Sequence, residues 1–419
     1  MSNWKETTIG NLCSIKHGYA YKGEFITNEE CQDVLVTPGN FTLSGGFKIM
    51  DKPKYYKGPV IDEYILKEGD LIVTMTDLSK GIDTLGYSAL VPKVDGITFH
   101  HNQRIGLIEN IYKDVDKDFL YWIMRTRPYQ KYVANSSSGT TVHHTSPAKI
   151  SKYSFFLPTL PEQHQIASIL SSFESKIECN HRLCANLEAQ AQALFKHWFI
   201  DFTPFKDSKF VESKLGMIPE GWKVATLGDV LSDIESGSRP KGGAESNGIP
   251  SIGAEKIEGI CHYDFSSEKF VSEEYFNNMR RGKVQNGDVL LYKDGAYTGK
   301  STIFMNDFPY SECAVNEHVF LLRTYESKWQ CWLYLYLTYE PIRRYIHTLA
   351  SAKAAQPGLN QVELKSVNII LPPAEVIDRF ESLAHSLLSP IIHYLKDSRI
   401  LSTLRDTLLP KLMSGQIKL

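Results

Sequence analysis

Two segments of this chain share one pattern 214 positions apart. Residues 157–170 read LPTLPEQHQIASIL and residues 371–384 read LPPAEVIDRFESLA. Each begins with Leu-Pro at the end of an apolar, β-rich run and then enters a long helical pattern. Further anchors follow in the same order. Trp4-Lys5 with Thr8-Ile9-Gly10 matches Trp222-Lys223 with Thr226-Leu227-Gly228, and Gly69-Asp70-Leu71-Ile72 matches Gly287-Asp288-Val289-Leu290, both at an offset of 218. Asn102 with Ile105-Gly106-Leu107-Ile108 matches Asn316 with Val319-Phe320-Leu321-Leu322 at 214. The two offsets predict one loop that differs by four residues. A chain of 419 residues is too long for one core, and the repeat says how it divides.

Each half opens with about 155 residues of short β-type runs, such as DLIVTM and RIGLIE, separated by Gly, Asn and Asp turn signals. One helix is expected in each over FLYWIMRTRPYQKYV and WLYLYLTYEPIRRYI. The stretch between the halves, TPFKDSKFVESKLGMIPEGW, reads as a polar linker without a strand signal.

A long helix closes each half. From Ile166 the apolar positions alternate steps of four and three: Ile166, Leu170, Phe173, Ile177, Asn180, Cys184, Leu187, Ala191, Leu194, Trp198. Adding 214 gives Phe380, Ala384, Leu387, Ile391, Tyr394, Ser398, Leu401, Arg405, Leu408, Leu412, so the rhythm of period 3.5 is kept in register. So narrow a stripe needs a partner. Each helix can pack on its own domain, or the two can pair antiparallel. If Ile166 faces Leu412, then Asn180 faces Ser398, which places two small polar residues in one layer. Ser389-Pro390 reads as a kink or a fresh helix start, because proline removes a hydrogen bond and crowds the preceding turn.

Bulk properties exclude several classes. Hydrophobic content of 42% and charged content of 22% are those of a soluble globular protein. There is no apolar stretch of bilayer-spanning length, and MSNWKETTIG lacks a signal-peptide core, so a cytoplasmic protein is expected. The seven cysteines include no C-x-x-C pair, which argues against a disulfide framework or zinc site. A net charge of −2 means that any nucleic-acid-binding surface is local. No Walker loop is present, and the single Pro-Pro, Pro372-Pro373, belongs to the helix start rather than to a methyltransferase motif. A nuclease reading of Asp207 with Glu212-Ser213-Lys214 falls in the linker. The chain therefore reads as non-catalytic.

LPTLPEQHQIASIL, IPEGWKVATLGDVLSDIESG and LRDTLLPKLMSGQIKL together resemble the specificity (S) subunit of Type I restriction-modification systems, over the whole chain. At Pro373-Ala374-Glu375 the second half departs, lacking the Gln that follows Glu162. The resemblance implies an α+β chain: two mixed α/β target-recognition domains separated by two long antiparallel coiled-coil helices, related by a pseudo-twofold internal repeat. The expected boundaries are 1–160 for the first recognition domain, 161–200 for the central helical region, 201–219 for the linker, 220–373 for the second recognition domain and 374–419 for the C-terminal helical region. It further implies that the chain reads a split target on double-stranded DNA and holds two methyltransferase (M) subunits. Those subunits carry S-adenosylmethionine and methylate adenine, while restriction (R) subunits complete the nuclease. The chain itself takes no cofactor or metal. The rival class is a non-catalytic protein-interaction scaffold with two ligand-binding domains on a helical spacer.

Reading DNA needs donors and acceptors aimed at base edges and cations on phosphate. Four polar stretches per half are candidates. The first holds Thr74 and Thr76, matched by Lys293, Tyr297, Thr298 and Lys300. The second holds His101, Asn102, Gln103 and Arg104, matched by Asn316 and His318. The third holds Thr140, Thr141 and His143, matched by Gln356 and Asn360. The fourth holds Tyr19 and Lys22, matched by Ser238, Arg239 and Lys241. Arg125, Arg127, Lys131, Arg343 and Arg344 are candidate phosphate contacts. The paired histidines His100-His101 lack a third ligand at metal-binding spacing. Because the scaffold anchors match and these stretches do not, the two half-targets are expected to differ.

Overall fold

Strand Lys5–Thr8 pairs antiparallel with Ser154–Leu157, placing Lys5 opposite Leu157, and 218 residues on, Lys223–Thr226 pairs with Asn368–Leu371, placing Lys223 opposite Leu371. In this computed structural model, which describes residues 4–79, 81–325, 328–352 and 358–419, the two halves repeat one four-stranded sheet order. The first carries a four-stranded sheet in the order Ser14–His17, Ile105–Glu109, Leu71–Thr74, Ser88–Leu90. In the second the order is Leu231–Ser236, Val319–Thr324, Val289–Tyr292, Ser301–Ile303. A second sheet accompanies each, five-stranded in the first half and three-stranded in the second: His101 ends a strand parallel to Asp33–Val36, and Val315 ends one parallel to Ile249–Ile252.

The runs LIVT and VLLY are unbroken by polar residues because both faces of these strands are covered. Leu71 and Val73 enter one core with the helices, while Ile72 enters a second core with the five-stranded sheet. Val289 and Leu291 against Leu290 divide in the same way. The duplication is less regular than a single length change. Val73 pairs with Ser88 where Leu291 pairs with Ser301, so the offset drops from 218 to 213 across that loop. It returns to 214 at His101 and Val315.

Three local expectations are corrected. FLYWIMRTRPYQKYV forms two helices, Lys117–Ile123 and Arg127–Asn135, and its counterpart forms Gln330–Thr338 and Glu340–Ser351. Pro128 and Pro341 cannot donate to the preceding turn and so restart each helix, the first behind Thr126, whose Oγ1 accepts from Tyr129 N. The linker contains a hairpin, Phe210–Ser213 with Gly216–Pro219, registered by Ser213 Oγ donating to Gly216 O at 2.6 Å. Third, Ala374–Met413 is one continuous helix of 40 residues through Pro390. Buried Leu388, Ile391 and Ile392 on either side outweigh the one lost hydrogen bond.

The chain divides into two compact units, Met1–Ser175 with Leu401–Leu419, and Lys176–Ile400. Both long helices, Leu160–Phe199 and Ala374–Met413, contribute to each. Within the second unit they run in opposite directions: Asn180 reaches Ser398, Cys184 reaches Ile391, and Phe199 stacks edge-on against Phe380. Ile166, Leu170, Leu412 and Met413 share one core within the first unit, where Glu174 pairs with Arg405. Gln163 is buried at the start of the first helix. Its Oε1 accepts from Asp116 N at 2.9 Å and its Nε2 donates to Pro158 O at 3.0 Å, which ties the helix to the recognition domain. The equivalent residue in the second unit is Ile377, fully buried, so a polar peg is replaced by an apolar one. Among the described residues no helix is long and apolar enough to cross a membrane.

Candidate nucleic-acid interface

Three of the four candidate stretches meet in each unit, joined by the same two backbone hydrogen bonds. In the first unit Met75 N donates to Arg104 O at 2.9 Å and Thr145 N donates to Met75 O at 3.0 Å. In the second, Lys293 N donates to His318 O at 3.1 Å and Leu359 N donates to Lys293 O at 2.9 Å. Each atom in one pair is the repeat equivalent of its counterpart. A matching turn supports them. Asn102 Oδ1 accepts from Arg104 N and Asn316 Oδ1 accepts from His318 N, both at 3.0 Å. An Asn side chain that bonds its own backbone two residues on fixes such a turn.

The fourth stretch joins by close backbone approach. A Cβ at Gly18 would overlap the Asn102 carbonyl, and one at Gly237 would overlap the Val315 carbonyl. Only glycine admits that contact. Tyr19 N then donates to His101 O at 2.9 Å, and Arg239 pairs with Glu317 at 3.0 Å.

Several predicted contact residues turn inward instead. Thr74 is fully buried, with Oγ1 donating to Thr76 O at 3.0 Å, and Thr76 Oγ1 lies 3.2 Å from His144 Nδ1. His101 is buried with Nε2 at 2.8 Å from Ile105 O; burial pushes its pKa down to about 4, so it is neutral near pH 7. Thr298 and Asn316 are buried and serve turns. Arg125 is buried too, held by Ser44 O at 2.9 Å, by Tyr121 Oη and by Glu174. These side chains shape the loops, because buried polar groups must spend their hydrogen bonds internally.

The outward set remains large. Lys22, Gln103, Arg104, Thr140, Thr141, Arg239, Lys241, Tyr297 and Asn360 are exposed. Tyr19, Asn102, His143, Ser238, Lys293, Lys300 and His318 are half-buried. Ser238 Oγ lies 2.7 Å from Tyr275 Oη, Lys300 Nζ lies 4.4 Å over the Tyr297 ring, and His318 Nδ1 lies 3.2 Å from Asp294. Asn360 Oδ1 accepts from Glu363 N at 2.9 Å and caps a short helix. Arg127, Lys131 and Arg344 are exposed and Arg343 is half-buried. Gln356 lies outside the described residues. His100 and His101 diverge, His100 Nε2 pairing with Asp33 at 2.7 Å, and no cluster of three or more His, Cys, Asp or Glu able to hold a metal occurs among the described residues.

Sequence reading passed over two organising carboxylates. Asp77 accepts from Ser79 N, Thr84 N and Leu85 N at 2.6, 2.7 and 3.0 Å; burial would raise its pKa, but these donors hold it below the ordinary value. Glu381 accepts from Cys331 N and Trp332 N at 2.8 and 2.9 Å, which fastens the second long helix to the recognition fold. The Asp-x-Ser spacing of Asp77 was a readable turn signal; the reach from Glu381 across 50 residues was not.

A family model described as Type I restriction modification DNA specificity domain matches residues 1–189 and 219–383. The Type I restriction enzyme MjaIX specificity subunit of Methanocaldococcus jannaschii is 28% identical over 310 residues, covering 73% of this chain and 70% of that protein. The HindI specificity subunit of Haemophilus influenzae is 22% identical across the whole of both chains. The crystal structure of a Type-I restriction-modification system S subunit from M. genitalium superposes with a TM-score of 0.60 at 18% identity, covering 98% of this chain and 96% of that one, a likeness of fold.

Proposed function

Because the chain belongs to the family of Type I restriction modification DNA specificity domains, we propose that it is the non-catalytic, sequence-reading specificity subunit of a Type I restriction-modification complex. Its recognition domains, 1–160 and 220–373, each read one half of a bipartite, asymmetric target on double-stranded DNA. Its helical regions, 161–200 and 374–419, form an antiparallel coiled coil that relates the halves by a pseudo-twofold axis, sets the spacing between the half-targets and holds two methyltransferase subunits. S-adenosylmethionine and adenine methylation belong to those subunits, and restriction subunits complete the nuclease, all in the cytoplasm.

The observation that carries this reading is the pair of equivalent hydrogen bonds uniting three loops in each unit. The same frame presents different side chains: Gln103 and Arg104 in one, His318 and Lys300 in the other. Arg presents a fork to guanine and Gln a donor–acceptor pair to adenine, which the second unit lacks at those positions. With a net charge of −2, the isolated chain binds DNA weakly, and the assembled complex shows a steep salt dependence. The test is long-read mapping of methylated adenine in cells expressing the chain with its methyltransferase partner. Two unlike half-sites at a fixed gap are expected; a palindromic target, or no new methylation, overturns the reading.

A further inference from the structure

We propose that the second unit, unlike the first, seizes one DNA backbone phosphate in a cationic cleft between residues 293–300 and helix Glu340–Ser351. The inference rests on the DNA-reading function above and adds a contact that the repeat itself does not supply.

The cleft has a volume of about 260 Å³ and is lined by Tyr297, Thr298, Lys300, Arg343, Arg344 and His347, together with small neighbours. Its parts are held in place. Gly299, at φ +97°, brings the loop against the helix, where a Cβ would stand 3.2 Å from Arg343 O. Thr298 is buried and its Oγ1 donates to Gly295 O at 2.7 Å. Lys300 Nζ rests on the Tyr297 ring. Two carboxylates stand nearby: Glu258 lies 3.7 Å from Lys300, and Glu340 pairs with Arg344. Both are about half exposed, and exposed pairs are weak enough to yield to a phosphate. Guanidinium forks and an ammonium, with no carboxamide aimed among them, suit a phosphodiester rather than a base edge.

The first unit has closed the equivalent space. Its segment between the matching strands runs over residues 75–87, thirteen against eight in the second unit. The extra length lies on helix Arg127–Asn135, where Gln130 Nε2 donates to Ile82 O at 2.7 Å; Gly86 meets Val133 as Gly299 meets Ile346, a contact both units share. The position equivalent to Arg343 is Gln130, which is buried, and the position equivalent to Arg344 is Lys131, which is exposed. A longer loop thus covers the Gln130 position, where the shorter one leaves Arg343 open beside Arg344; the first unit keeps one cation there, Lys131, against two in the second.

The test uses the full chain, alone and with its methyltransferase partner, and target duplexes each carrying a single neutral methylphosphonate linkage. Wild type is expected to lose about tenfold in affinity at one linkage beside the second half-site. R343A/R344A should lose about tenfold on the unmodified duplex, become indifferent to that linkage, and show a slope of log K against log salt shallower by one to two. R343K/R344K, with unchanged thermal unfolding, should recover most of the loss. An R343A/R344A variant that keeps the wild-type slope, or stays sensitive to the same linkage, overturns the cleft. Wild type that fails to separate target from scrambled duplex overturns the DNA-reading function instead, and the cleft with it.

Discussion

Asn180 Nδ2 lies 3.2 Å from Ser398 Oγ, so the one polar layer that the two helical stripes share is closed by a hydrogen bond across them. Asp397 Oδ2, at 2.8 Å from the same nitrogen, adds a charged acceptor at the layer's edge. Both Asn180 and Ser398 are buried, with apolar layers of Cys184 and Ile391 on the way to the aromatic end of the pair. A misregistered pairing would bury the Asn180 amide against carbon, so the layer selects one alignment at some cost in stability. A double-mutant cycle with Asn180→Ala and Ser398→Ala should give a coupling of about 0.5–1 kcal/mol in denaturant unfolding. Strict additivity would remove the layer's energetic role.

Glu174 answers two buried arginines at once, lying 2.6 Å from Arg405 and 3.5 Å from Arg125. Burial would raise its pKa, but the two guanidinium groups hold it below the ordinary carboxylate value. A depressed native pKa contributes stability that is present above the unfolded value near 4.5 and is lost as pH falls through the lower native one. Glu174→Gln should cost about 1–2 kcal/mol at pH 7, because it takes the carboxylate from buried Arg125 while Arg405 keeps Asp406. The penalty should shrink below pH 4; a penalty constant with pH would point to packing alone.

His101 adds a second acid sensitivity, also within the first unit. Its native pKa of about 4 lies under the model-peptide value of 6.5, so the unfolded chain binds the extra proton between those limits. Stability is complete above pH 6.5 and declines as pH falls toward 4. His101→Asn should flatten that part of the stability–pH curve, followed by thermal unfolding at half-unit steps. An unchanged slope would place the acid lability elsewhere.

Asn102 and Asn316 hold equivalent turns under different reading residues. Substitution by Ala removes the turn's acceptor and should destabilise each loop by about 1 kcal/mol, whereas Asp keeps the acceptor and most of the stability. The functional losses should separate. Asn102→Ala should relax discrimination at one half-site and Asn316→Ala at the other, measured by binding to duplexes with one half scrambled. Equal relaxation at both half-sites from either change would contradict independent readers.

Much of this fold was legible because it is periodic. The strand anchors at Lys5 and Lys223 and the matched stripes through Asn180 and Ser398 rest on local spacing that side-chain geometry enforces. Pro390 was misleading because its local penalty is real but small beside the burial of Leu388, Ile391 and Ile392. Pro128 and Pro341, exposed at the starts of their helices with no such burial to oppose them, did break their helices. Among the candidate contacts, chemistry alone did not separate Thr74 and His101 from Arg104. All are polar and adjacent to strands, and only the direction of each side chain relative to the core distinguishes them.

The sequence by itself determined the duplication, the strands that hold each half and the helix register, since each depends on residues a few positions apart or on one repeated offset. The tertiary structure decided which polar residues face outward, which three loops share one frame, and that a five-residue difference closes a cleft in the first unit and opens it in the second. Those outcomes depend on backbone atoms that meet across dozens of residues, where a hydrogen bond or an overlapping Cβ is set by the path of the whole chain and leaves no spacing to read.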